Sequence, residues 1–222
     1  MDYTVIVLGI IIVFLVYYLY VNYIGAVKTM AKSADLNSVQ PTITNIDKPA
    51  NLNYSYGVWV YVNSWNNSST KTIFGRTNNI RLYLEQNTPT LKCDITTTSN
   101  QNETIIITDN YPLQKWVYII VSVDGRIVDC YINGKLVKSQ KLNNDTTQPG
   151  DAVASPIVMG NFDATLANLT RTITPMDPQT AWNNYNKGNG MSGTGGLFSI
   201  GSYGANLSLI KDSIQFSNIK LF

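Results

Sequence analysis

Lys115-Trp-Val-Tyr-Ile-Ile-Val-Ser-Val123 runs through Asp124-Gly125 into Arg126-Ile-Val-Asp-Cys-Tyr-Ile132, and that run passes through Asn133-Gly134 into Lys135-Leu-Val-Lys-Ser-Gln-Lys-Leu142. The first two runs are dense in β-branched and aromatic residues, which fit a pleated, half-buried surface. Asp-Gly and Asn-Gly are the dipeptides that best tolerate the positive φ angles of a two-residue hairpin turn. Three antiparallel strands in a row are therefore predicted, with tight turns at Asp124-Gly125 and Asn133-Gly134.

The same pattern extends in both directions. Upstream, strands are predicted at 54–62 (Tyr-Ser-Tyr-Gly-Val-Trp-Val-Tyr-Val), 71–75, 79–85, 90–96 and 103–108. Alternation puts Ile80, Leu82 and Leu84 on one face, and Leu91, Cys93 and Ile95 on another. Downstream, strands are predicted at 157–160 and 164–173. Met176-Asp-Pro-Gln-Thr-Ala-Trp-Asn-Asn-Tyr-Asn186 reads as a short helix, capped by Asp177, with Pro178 in the first turn. A glycine-rich loop follows at 188–196, and 204–222 reads as further strand material. Short strands at close spacing argue for an all-β sandwich or jelly roll.

The N-terminus is different. From Tyr3 to Ile24 no charged residue occurs, and roughly 20 apolar residues suffice to cross a bilayer core as a helix. Tyr17, Tyr18, Tyr20 and Tyr23 crowd one end, where headgroups favour tyrosine. A signal peptide would want a positive leader and a shorter apolar core; here Asp2 precedes the run and no Lys or Arg does. The layout expected is a transmembrane anchor over 1–27, a linker or stalk over 28–52 broken by Pro41 and Pro49, and one jelly-roll domain over 53–222. The first residues of the stalk, from Lys28, could continue the helix for a turn or two. Lys28 and Lys32 follow the helix, so the positive-inside rule places the C-terminal domain on the cytosolic side.

Composition excludes several functions. Only 14% of the residues are charged and the net charge is +2, which argues against a nucleic-acid partner. Histidine is absent, which removes His-based triads, His-ligated metals and ordinary imidazole acid–base chemistry. Sequons occur at Asn53, Asn66, Asn67, Asn102, Asn144, Asn168 and Asn206, as expected of an Asn-, Ser- and Thr-rich chain, and a cytosolic domain would leave them unused. The two cysteines, Cys93 and Cys130, make neither a disulfide framework nor a zinc site. By alternation both point inward, as free thiols packed like small hydrophobes or, if their strands are neighbours, as one disulfide.

The middle of the chain resembles the concanavalin A-like jelly roll in its laminin-G-like form. The resemblance lies in Tyr56-Gly-Val-Trp-Val-Tyr-Val62, in Trp116 to Gly125, in Val128-Asp-Cys-Tyr-Ile-Asn-Gly-Lys-Leu-Val137, and in the strand and short helix from Ala167 to Tyr185. Glucanases of that superfamily use a close pair of glutamates. This chain has only Glu85 and Glu103, far apart, so the resemblance implies no catalysis. Calcium-binding members would draw on residues such as Asp124, Asp129 and Asp163, which read more simply as turn and surface residues; no metal and no cofactor is expected. Lectin members imply exposed aromatics, for which Trp65 and Trp182 are the candidates, as glycan or partner contacts.

The whole layout resembles membrane-anchored minor capsid proteins of large icosahedral DNA viruses, such as those infecting algae. That resemblance implies a structural, non-enzymatic virion protein. It would tether an internal lipid membrane to an overlying capsid or other structural protein, at the membrane–capsid interface. The alternative is a membrane-displayed carbohydrate-binding module.

Overall fold

A computed structural model describes residues 3–19, 27–99, 101–190, 206–211 and 214–220 of the chain. The chain divides into two compact units, residues 1–191 and 192–222. The expectation of a single domain over 53–222 is thereby corrected. The second unit holds the antiparallel strands β12 (Asn206–Lys211) and β13 (Ile214–Lys220). The glycine-rich stretch from 191 onward lies outside the described residues.

The first unit opens with helix α1, Tyr3–Leu19. Every side chain described on it, from Val7 to Leu19, is exposed. It has 17 residues, about 26 Å at 1.5 Å per residue. Among the described residues no helix is long and apolar enough to cross a membrane; residues 20–24 of the expected span lie outside them.

A two-layered sandwich follows. One sheet has six strands in the order β1 (Val27–Asp35), β11 (Ala164–Thr172), β2 (Tyr54–Val62), β7 (Val117–Asp124), β8 (Ile127–Ile132) and β9 (Lys135–Lys141). The other has five, in the order β10 (Ile157–Met159), β3 (Lys71–Arg76), β4 (Ile80–Leu84), β5 (Leu91–Thr96) and β6 (Asn102–Thr108). All neighbouring strands run antiparallel. The all-β sandwich with one short helix read from the sequence is what forms.

The expected stalk is not a stalk. Residues 27–35 form β1, paired to β11 from Val27↔Thr172 to Asp35↔Thr165, so the helix does not continue past Lys28. Lys-Thr-Met-Ala-Lys-Ser has little strand character; pairing to an open sheet edge decides its conformation, as tertiary context routinely does. The first hairpin turn is also one residue later than predicted. Asp124 pairs with Ile127, so Gly125 and Arg126 form the turn, and Gly125 supplies the positive φ of +56°. At the second turn Asn133 and Gly134 have φ of +49° and +75°, the signature of a type I′ turn.

Between the sheets lies one apolar core. Ile80, Leu82 and Leu84 from β4 and Leu91, Cys93 and Ile95 from β5 pack with Val58, Val60, Val117, Ile119, Val121 and Val128 from the six-stranded sheet. Cys93 and Cys130 enter this core from opposite sheets and are free and buried. Their strands are therefore not sheet neighbours, and the disulfide reading is corrected. Burial pushes the Cys93 thiol well above its ordinary pKa and Cys130 up to about 12.

One end of the sandwich is closed by two buried arginines, one from each sheet. Arg76 donates to the carbonyls of Pro49, Gly150 and Ser155 at 2.7–2.9 Å. Arg171 donates to that of Asp47 at 2.5 Å and lies 5.8 Å from the ring centroids of Tyr54 and Tyr56. Carbonyl dipoles and aromatic faces, rather than carboxylates, receive these guanidinium groups, which pin the loop over 47–49 across the mouth of the core.

Candidate functional site

The two outer faces of the sandwich differ. On the six-stranded sheet, odd positions of β2 and even positions of β7 point away from the core. There Trp59 stacks on Tyr118 at 5.0 Å and on Tyr185 at 5.5 Å. Tyr185 belongs to α2, Pro178–Asn186, which lies over this face. Asp177 caps the helix by accepting from the Thr180 N–H at 2.9 Å, as the sequence predicted. Met176, just before it, donates its N–H to Ser122 Oγ at 2.8 Å and accepts from the Tyr131 hydroxyl at 3.2 Å. This face is closed.

The outer face of the five-stranded sheet is open. A groove of about 510 Å³ crosses it, lined among others by Thr72, Gly75, Arg81, Asp94, Asn102 and Val158. Gly75 stands opposite Arg81 in register and leaves the groove floor without a side chain there. Arg81 donates through Nε and Nη2 to Thr72 Oγ1, at 3.1 and 2.9 Å, and its guanidinium lies 4.6 Å from the Tyr83 ring centroid. Asp94 Oδ1 accepts from the Tyr83 hydroxyl at 3.2 Å and from Thr104 Oγ1 at 2.7 Å. Partial burial, and then the Asp94 charge, push the Tyr83 pKa up, so the phenol stays a donor. Arg81 and Asp94 are register partners, yet both fixed bonds of Asp94 fall on Oδ1. A carboxylate oxygen and guanidinium N–H groups therefore face the groove side by side, held by neighbours. Such an array can bind adjacent hydroxyls, donating to one and accepting from the next.

These residues were not among the sequence candidates. The signal was present in the complementary half of the alternation: Arg81 and Tyr83 lie between the inward Ile80, Leu82 and Leu84, and Asp94 between Cys93 and Ile95.

The two tryptophans proposed from sequence are not brought together. Trp65 is half-buried against the inter-sheet core. Its Nε1 donates to Asn67 Oδ1 at 2.9 Å, and the buried Lys71 ammonium lies 4.0 Å from its ring centroid. Burial pushes the Lys71 pKa down. A hollow of about 260 Å³ beside Trp65 is lined by Val62, Asn63, Ser64, Leu113 and Gln114. Trp182 belongs to α2, is 40% exposed, and packs over Gly134, where an added Cβ would lie 3.0 Å from its ring. Packing of the helix onto the sandwich accounts for Trp182.

The carboxylates named from the sequence hold protein groups or sit on strands. Glu103 accepts from the backbone N–H groups of Asn143 and Asn144 at 2.9–3.1 Å. Glu85 pairs with Lys92, which draws its pKa down. Asp163 accepts from Ser64 and Asn63, which lower its pKa. Asp124 ends β7 and Asp129 sits within β8. Among the described residues no group of three or more Cys, Asp or Glu side chains is placed to hold a metal ion.

Residues 37–168, more than half of the chain, match the family model described as the concanavalin A-like lectin/glucanases superfamily. The chain belongs to this superfamily. Solved structures agree on the fold. The ligand binding domain of botulinum neurotoxin serotype D, in complex with N-acetylneuraminic acid, superposes with a TM-score of 0.55 at 13% identity, over 73% of this chain and 46% of that one. The receptor binding domain of botulinum neurotoxin D gives 0.54 at 13%, over 72% and 45%. The binding domain of botulinum neurotoxin DC in complex with SialylT gives 0.53 at 15%, over 72% and 46%. This chain thus spans less than half the length of those superfamily structures, and the likeness is one of fold. No curated protein sequence matches the chain.

Proposed function

We propose that this superfamily member is a membrane-held, non-enzymatic binding module that takes a polyhydroxylated ligand, a glycan, on the open face of its five-stranded sheet. The observation that carries this reading is the groove in which Arg81 and Asp94 present a donor and an acceptor side by side. Carbohydrate ligands named for two botulinum neurotoxin binding domains of the same fold support it. The lipid hold is α1, an uncharged helix with exposed apolar side chains throughout its described part, at the short end of the roughly 17–25 residues that span bilayers. In this reading the sandwich lies on the cytosolic side, following Lys28 and Lys32.

A glycan array probed with the full chain in detergent micelles tests the ligand. Binding is expected, with loss in Asp94→Ala and Arg81→Ala. A third variant, Gly75→Leu, fills the groove; an added Cβ there meets nothing closer than 3.6 Å, so the fold accommodates it. Binding that survives all three substitutions would move the ligand off this face.

A second reading is a structural tether between a virion's internal membrane and its capsid. Edge strand β9 favours it, because Leu136 and Val137 are 50% and 45% exposed, with Ile127 of β8 beside it at 49%. Such side chains suit a protein partner. A tether stays with the shell when detergent strips the membrane; release with the lipid would end that reading.

A further inference from the structure

We infer that the sandwich stands end-on upon the lipid surface, with the end that carries the Gly125–Arg126 turn toward the membrane and the end that carries Trp65 and the Asn133–Gly134 turn away from it. This rests on the reading of α1 as embedded in lipid. The argument is one of register and reach. β1 starts at Val27, and the row of partners from Val27 runs through Thr172 and Ser55 to Ser122. The Gly125 N–H donates to Asn53 Oδ1, and Asn79 of the turn after Arg76 donates to the Tyr54 hydroxyl. One end of the sandwich thus gathers Val27, the 47–53 loop, the 77–79 turn and the Gly125–Arg126 turn. The opposite end gathers Asp35, Val62 with the Trp65 loop, and Asn133–Gly134, where the Asn133 N–H donates to the Tyr118 carbonyl.

Leu19 ends the helix and Val27 begins the strand, so eight peptide steps separate them, at most roughly 28 Å of chain. Any residue after Leu19 that lies in lipid shortens that reach. Strand β2 has nine residues, about 30 Å at 3.3 Å each, which measures the height of the sandwich. An inverted domain would hold Val27 that far above the bilayer, beyond the leash. Upright, the domain presents its far end roughly 30–60 Å above the lipid, and the groove faces sideways, open to ligands arriving along the membrane.

The test uses the full chain in phosphatidylcholine vesicles carrying a rhodamine-labelled lipid. Donor dyes are placed at the exposed positions Asp124→Cys or Asn66→Cys; the two native thiols are buried, and unsubstituted protein gives the background. Flotation with the vesicles is expected for both variants, with energy transfer to the lipid several-fold greater from position 124 than from 66. Failure to float overturns the lipid reading of α1 and this inference with it. Flotation with equal or reversed transfer overturns the orientation alone.

Discussion

The two outer faces of this sandwich began from the same kind of strand and ended differently. On the six-stranded sheet, β2 and β7 are buried along nearly their whole length, inward positions by the core and outward ones by α2. On the five-stranded sheet, β4 and β5 alternate buried and accessible residues cleanly. A strand covered on both sides reads as a continuous apolar run, and a strand covered on one side reads as an alternating one. The difference shows which face carries stability and which is free to meet a ligand.

Four substitutions break or sharpen that contrast. Trp59→Ala removes the centre of the covered face and should cost about 3–5 kcal/mol, read as a large fall in Tm, with glycan binding per folded molecule unchanged. Gly57→Ala is next. Its Cβ would lie 2.6 Å from the Tyr118 hydroxyl oxygen, and overpacking of this kind costs about 1–3 kcal/mol; adding Tyr118→Phe should restore most of the loss in urea denaturation.

Asp177→Ala removes the cap of α2 and should cost about 1 kcal/mol. The hydrogen bond from Thr180 holds the Asp177 pKa below its ordinary value. Its contribution is therefore present above the unfolded carboxyl pKa of about 3.9 and is lost as pH falls through the lower folded value. Melting curves of wild type and variant should converge on acidification and stay apart near neutral pH. Smallest in stability is Asp94→Ala on the open face, within about 0.5 kcal/mol as for most surface sites. Its expected effect is on binding, and a Tm shift as large as that of Asp177→Ala would show that the open face is structural after all.

Much of the fold was legible because the core-facing residues of β4 and β5 alternate and because Asn133-Gly134 has one natural conformation. The helix at 178–186 announced itself through Asp177 and Pro178. What was not legible depended on distant pairing. Nothing in Val27–Asp35 marks a strand; β11 makes it one, across more than a hundred residues of sequence. β11 itself carries a register shift between Ala167 and Thr170, with Asn168 at φ +49°, which lets Leu166 and Leu169 both reach the core. The open face leaves no mark in rare residues such as Trp and Cys. Its chemistry lies in ordinary Arg, Asp, Tyr and Thr side chains whose meaning comes from adjacency across strands. Trp182, the more exposed of the two candidate tryptophans, proved to be part of the covered layer.

The antiparallel edge strand that replaced the expected stalk has a mechanical consequence. Tension between a lipid-held α1 and a ligand gripped by the sandwich enters the domain at Val27 and pulls β1 along its own axis. The hydrogen bonds from Val27↔Thr172 to Asp35↔Thr165 then share the load in shear and must fail together. Had the chain entered at the other end of β1, the same force would have peeled the strand away one pair at a time. The point of entry makes this joint resist pulling from the membrane side.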